Sequence, residues 1–281
     1  MMIGIIDVGG GMKAIYSAGV LDYCLDKKIY FDYALGVSAG SGNLTTYTAR
    51  QRGRNYTFYI DYVFRKEYMS IRNFIKKGEY CDLDYPYSVL SNEDGENPLD
   101  YDTFIKSKTN LNVVATDAET GKAVYFNKKE MKRNDYWLCK ASSTIPIVSK
   151  PFVRDGKRYY DGGIADPIPI KKALEDGCEK IIIVLSRPKN FKKSLRKSDK
   201  MSKIILKKYP ETVEAIYNRA NKYNRVLNKV LTDEKLRNKV LILAPTDNFG
   251  VDTLSKKKDE LNRLYYMGYD AGEEIEEFLS I

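Results

Sequence analysis

Gly36-Val37-Ser38-Ala39-Gly40 matches the pattern G-x-S-x-G. Residues 32 to 37 read as a short strand, and Leu44, Tyr47 and Thr48 continue beyond the pattern as a helix. A serine on so sharp a strand-to-helix turn has its hydroxyl held out from the sheet. Gly36 and Gly40 must be small because the turn brings strand and helix close. The helix start adds partial positive charge, worth about 0.5 kcal/mol toward an alkoxide or oxyanion. Ser38 is therefore the candidate nucleophile.

A hydroxyl is a weak nucleophile and needs a proton acceptor. The chain contains no histidine. That excludes the Ser-His-Asp triad, the Cys-His pair, the two-His zinc helix and any imidazole base. Asp161 is the best remaining candidate. It ends a hairpin arm, and Gly162 and Gly163 after it permit the tight loop that presents a carboxylate over a sheet edge. Partial desolvation beside the serine would raise its basicity. The stretch Gly9-Gly10-Gly11-Met12 lies between the first strand and the first helix, so its amides can converge on an oxyanion. Lys13 either adds positive charge at that mouth or is merely solvated. GGGMKA also satisfies G-x-G-x-x-G/A, which makes a nicotinamide-dependent oxidoreductase the rival reading. The rival needs an acid at the end of the second strand, yet Asp32 begins that strand and Gly36-Val37-Ser38 ends it.

The elements that must hold these groups follow from the pattern. Residues 3 to 8 read as a buried strand, and Ile15, Ala18, Leu21 and Leu25 recur at helical spacing after the glycines. With the second strand and helix this gives βαβα, hence a mostly parallel sheet with helices on its faces. Residues 55 to 110 read as helices and a long excursion, and residues 129 to 141 as a helix. Hairpins are expected around Glu119-Thr120-Gly121 and Asp155-Gly156. Residues 180 to 186 and 239 to 245 read as interior strands, 211 to 231 as helical, and 253 to 279 as one long or two shorter closing helices. Residues 1 to 186, with 239 to 245 adding a strand, form the expected catalytic core; 187 to 281 carry a basic segment and a helical part.

A chain of 281 residues can bury roughly three quarters of its unfolded surface. No run reaches the roughly 18 apolar residues of a membrane span, and the N-terminus lacks a charged start and a cleavage site, so a cytoplasmic protein is expected. The four cysteines, Cys24, Cys81, Cys139 and Cys178, show no metal or disulfide spacing and read as small core residues. The net charge is +9, and residues 187 to 208 hold ten basic residues against one acidic, Asp199. No nucleic-acid-binding motif accompanies them. An anionic membrane surface at the inner face is the expected partner, the alternative being a solvated lysine-rich segment.

The sequence resembles the bacterial patatin-like phospholipases, lipid acyl hydrolases with a Ser-Asp dyad. The residues that carry the resemblance are Gly9 to Lys13, Ala18-Gly19-Val20-Leu21-Asp22, Gly36 to Gly40, Ala141-Ser142 with Pro146, and Asp161-Gly162-Gly163. They span about residues 3 to 186, and Ala14 departs from the glycine usual in the family. The resemblance implies Ser38 as nucleophile, Asp161 as base, the glycine-loop amides as oxyanion hole, a three-layer α/β sandwich, a glycerophospholipid or related acyl lipid as substrate, and no cofactor or metal. A catalytically silent lipid-binding protein of the same fold is the other alternative. Phe58, Tyr59, Tyr62, Phe64 and Phe74 are expected either to line an acyl-chain cavity or to be ordinary core.

Overall fold

The computed structural model describes residues 1–280. Eight strands form one sheet: β1 (Ile3–Asp7), β2 (Tyr33–Val37), β3 (Asn110–Asp117), β4 (Ala123–Asn127), β5 (Phe152–Arg154), β6 (Lys157–Asp161), β7 (Lys180–Val184) and β8 (Val240–Leu243). They run in the order β5-β6-β3-β2-β1-β7-β8, with β4 also paired to β3. The contiguous strands β3-β2-β1-β7-β8 are parallel, while β4, β5 and β6 are antiparallel additions.

The helices are α1 (Ile15–Asp26), α2 (Ala39–Thr48), α3 (Arg54–Ile60), α4 (Ile71–Lys77), α5 (Tyr101–Lys106), α6 (Trp137–Ser143), α7 (Gly162–Ala165), α8 (Ile170–Glu175), α9 (Lys197–Ile205), α10 (Pro210–Thr232), α11 (Lys258–Ala271) and α12 (Glu273–Ser280). Alternation along the strands divides the apolar residues between two faces. Ile5, Ala34, Val113 and Ile182 pack with α1, α2, α6 and α12 through Val20, Leu44, Leu138 and Ile275. Ile6, Leu35, Ile181 and Ile183 pack with α8 and α10 through Ile170, Tyr223 and Leu227. The result is helix, sheet, helix, with both sheet faces covered, as parallel strands require.

One pairing detail governs the site. Val37, the last residue of β2, lies opposite Val114, and Asp161, the last residue of β6, lies opposite Ala115. The other edge of β3 at both rungs belongs to β4, through Tyr125 and Val124. The ends of β2 and β6 therefore meet head-on along one edge of β3.

The helix expected over 129 to 141 is corrected to α6, which begins only at Trp137. Asn127 and Glu130 close a capping box, but Met131 is extended, and Lys132 and Asp135 exchange backbone hydrogen bonds across a turn with Asn134 at φ 62°. Turn chemistry overrode the periodicity there.

Candidate active site

Ser38 sits between β2 and α2 with φ 55° and ψ −132°, a conformation rarely adopted outside glycine. It is held there. Its amide donates to Ser142 Oγ at 2.9 Å, and Ser142 Oγ donates to the Val114 carbonyl at 2.6 Å, so α6 ties the turn to β3. A side chain on Gly36 would meet Ser41 Cα, and one on Gly40 would overlap the Asp7 carbonyl, which accounts for both small residues.

Asp161 is fixed through its backbone and side chain alike. Its amide donates to the Thr144 carbonyl, its carbonyl accepts from Thr116 Oγ1, and its Oδ1 accepts from the Gly163 amide at 2.8 Å, capping α7. Burial pushes the Asp161 carboxyl up, while the Ser38 hydroxyl, the Gly163 amide, Arg219 and Lys193 favour its ionised form. Among the described residues no hydrogen bond joins the Ser38 and Asp161 side chains, although both residues line the same cavity. Such contacts are often long in a free enzyme and tighten on binding.

The glycine loop closes over the same end of the sheet. Gly9, Gly10 and Gly11 have φ 64°, 125° and 61°, and side chains there would overlap the Val37 carbonyl, Ser186 Oγ and the Thr253 carbonyl. Two of the expected oxyanion donors are corrected. The Gly9 amide donates to Asp7 Oδ1 at 2.9 Å and the Met12 amide to the Thr253 carbonyl at 3.0 Å, so neither is available. The Gly10 and Gly11 amides have no such partner among the described residues. Lys13 is buried rather than solvated; its Nζ reaches Thr253 Oγ1 at 3.2 Å, and burial first, then Arg187, pulls its amine down to about 7.

Sequence reasoning missed Asp7. Buried at the end of β1, its carboxylate accepts from Gly9, Ser17 Oγ and Asn43 Nδ2, joining the glycine loop to α1 and α2. Burial raises it to about 6 against these hydrogen bonds. The only signal was an acid ending an otherwise apolar strand. Asp32 lies at the opposite end of β2, where it accepts from the Ile3 amide, far from the dinucleotide position.

Ser38, Asp161, Gly10, Gly11 and Lys13 line one cavity of about 380 Å³. Its apolar lining includes Val8, Ile145, Pro146, Ile164, Ile216 and Leu254. Phe58, Tyr59, Tyr62, Phe64 and Phe74 are not in it: Tyr59, Phe58 and Phe64 pack with Ile15 and Val63 as core, and Phe74 is exposed.

The model of the patatin-like phospholipase family matches residues 8–174, and that of a domain of unknown function, DUF6363, matches residues 209–280. The Escherichia coli (strain K12) uncharacterized protein YjjU is 30% identical over 191 residues, 66% of this chain and 52% of the relative, so the chain spans about half that protein's length. A crystal structure of VipD from Legionella pneumophila aligns with 98% of this chain and 66% of its own at 13% identity and a TM-score of 0.49. With more than half of its residues matched by the family model, the chain belongs to the patatin-like phospholipases, a family of lipid acyl hydrolases.

Proposed function

We propose that the protein is a serine acyl hydrolase that cleaves ester bonds of glycerophospholipids or related acyl lipids through Ser38 and Asp161. The observation that supports this reading is the end-to-end meeting of β2 and β6 on β3, with Ser38 and Asp161 lining the same cavity as Gly10 and Gly11.

In the first half-reaction Asp161 accepts the Ser38 proton as Ser38 Oγ bonds to the ester carbonyl carbon. The carbonyl π electrons move to oxygen, and the Gly10 and Gly11 amides hold the resulting anion. Collapse breaks the bond to the alcohol oxygen, which takes the proton from Asp161 and leaves an acyl-serine. Water then gives its proton to Asp161 while its oxygen attacks the acyl carbon; the fatty acid departs and the proton returns to Ser38. Strain at Ser38 and the fixed Asp161 backbone mean that little reorganisation is needed at either step.

A second part of the reading concerns α9, whose amphipathicity is reversed. Asp199 and Ser202 face inward, while Met201, Ile204 and Ile205 are 51%, 70% and 48% exposed among lysines. An apolar outer face ringed by cations suits adsorption to anionic lipid, at a helix that also borders the cavity through Ser198 and Asp199. No helix of the described residues is long and apolar enough to cross a membrane.

The test is labelling with a fluorophosphonate probe. Modification of the wild type and none of Ser38→Ala is the expected result; a wild type that stays unlabelled would favour a catalytically silent lipid-binding protein.

A further inference from the structure

Beyond Ser38 and Asp161, the cavity is a concentration of positive charge. Lys13, Arg187, Lys193, Arg196 and Arg219 line it, against the carboxylates of Asp161 and Asp199. Asp199 is shared, lying 3.0 Å from Arg219 and 3.5 Å from Arg196. Arg187 has only the largely exposed Asp252 at 3.7 Å. Lys13 and Lys193 have no carboxylate within 4 Å among the described residues; the Lys193 ammonium lies over the Tyr223 ring at 4.5 Å. Burial and neighbouring guanidinium groups push both amines down to about 7.

Two lysines crowded by guanidinium groups and without a carboxylate of their own are costly and need a reason. Chain anchoring does not provide one for Lys193. Asn224 on α10 clamps its backbone from both sides, accepting from its amide at 2.8 Å and donating to its carbonyl at 2.8 Å. The segment is thus held without the ammonium, and Lys193 stays on the cavity lining. Ser186, Ser194 and Ser198 bring hydroxyl donors to the same lining.

We propose that this wall is a headgroup subsite that selects acyl lipids of net negative headgroup charge, with Lys193, Arg196 and Arg219 binding phosphate oxygens while the ester lies at Ser38. The proposal rests on the acyl-hydrolase reading above. It gives the DUF6363 region a task, since Arg219, Tyr223 and Asn224 all come from α10 within it. A choline headgroup carries the same phosphate but adds a quaternary ammonium to a wall of five cations against two carboxylates, where Asp199 is already shared by Arg196 and Arg219 and the Tyr223 face is covered by Lys193.

Binding and chemistry can be tested separately. Ser38→Ala in the full chain is titrated calorimetrically with dihexanoyl phosphatidylglycerol, dihexanoyl phosphatidylcholine and inorganic phosphate. The anionic lipid is expected to bind at least about tenfold tighter than the zwitterionic one, as a single charged hydrogen bond would give. Inorganic phosphate, lacking acyl contacts, is expected to bind far more weakly than either. Adding Lys193→Met, or Arg196→Gln as a second variant at a side chain that is 56% exposed, should cut the lipid preference severalfold. Equal affinity for the two lipids, a preference untouched by both substitutions, or inorganic phosphate binding as tightly as phosphatidylglycerol would overturn the proposal. Fluorophosphonate labelling of the wild type separates the two readings: labelling without headgroup preference removes the subsite and keeps the hydrolase, and preference without labelling does the reverse. If the cations served only to tune Asp161, both lipids would lose kcat/KM equally in Lys193→Met, and their ratio would not move.

Discussion

A carboxylate accepts a hydroxyl proton only when ionised, and burial holds the Asp161 carboxyl above its ordinary range while nearby donors and cations pull it back. The rate kcat/KM should therefore fall as pH drops through a value above the usual 3.8 for aspartate, about tenfold per unit below it. Asp161→Asn should cost on the order of 10⁴-fold in rate by analogy with triad deletions, and the acid limb should vanish. The sign for stability is opposite to that for activity. A raised carboxyl means that the folded chain binds the proton more tightly than the unfolded one, so stability is lost as pH rises through that window. The neutral Asn variant should then melt higher than wild type at pH 7 while being nearly inactive. A mild kinetic effect would mean that another group takes the proton.

The glycine loop is built as a bridge between elements. Asp7 at the end of β1 holds it from below through Gly9, and Thr253, in the segment before α11, holds it from above through Met12 and Lys13. Pinning both ends leaves the two middle amides unpaired, which is the arrangement an anion needs. Gly10→Ala tests it directly, because φ 125° excludes a side chain and Ser186 Oγ occupies the space. With the loop displaced, kcat should fall roughly 100- to 1,000-fold, the cost of one oxyanion donor, with a smaller change in KM. Steady-state kinetics on a soluble ester would read both; an unchanged kcat would take the loop out of the mechanism.

The two family segments do not fold as separate bodies. Residues 209–280 contribute β8 to the sheet, α10 to one of its faces and part of the cavity wall, through Ile216, Arg219, Tyr223, Thr253 and Leu254. Between the segments lies α9, whose apolar side faces out. Replacing Lys203, Lys207 and Lys208 by Gln should weaken binding to phosphatidylserine vesicles by about 1 kcal/mol for each lysine at the surface, and raising the salt should reproduce the loss. Co-sedimentation at wild-type levels would dismiss membrane contact by this segment.

Much was legible where a few consecutive residues suffice. G-x-S-x-G at the end of an apolar run announces a strained turn, because only small residues let strand and helix approach so closely. Asp155-Gly156 announces a hairpin, and the absence of histidine removes the usual bases. The αβ alternation of the first half follows in the same way from local periodicity. What local pattern could not supply was which strand edges meet. That Asp161 stops one rung beyond Val37 on the same side of β3 depends on the register of residues more than a hundred apart. The fate of the Met12 amide, the interior place of Lys13, the cations gathered around the cavity and the exclusion of the Phe58 to Phe74 aromatics were likewise settled by partners remote in the chain. Turn geometry is decided by the steric limits of neighbouring peptides, whereas pairing, burial and charge crowding arise only once the sheet has closed and distant segments compete for the same space.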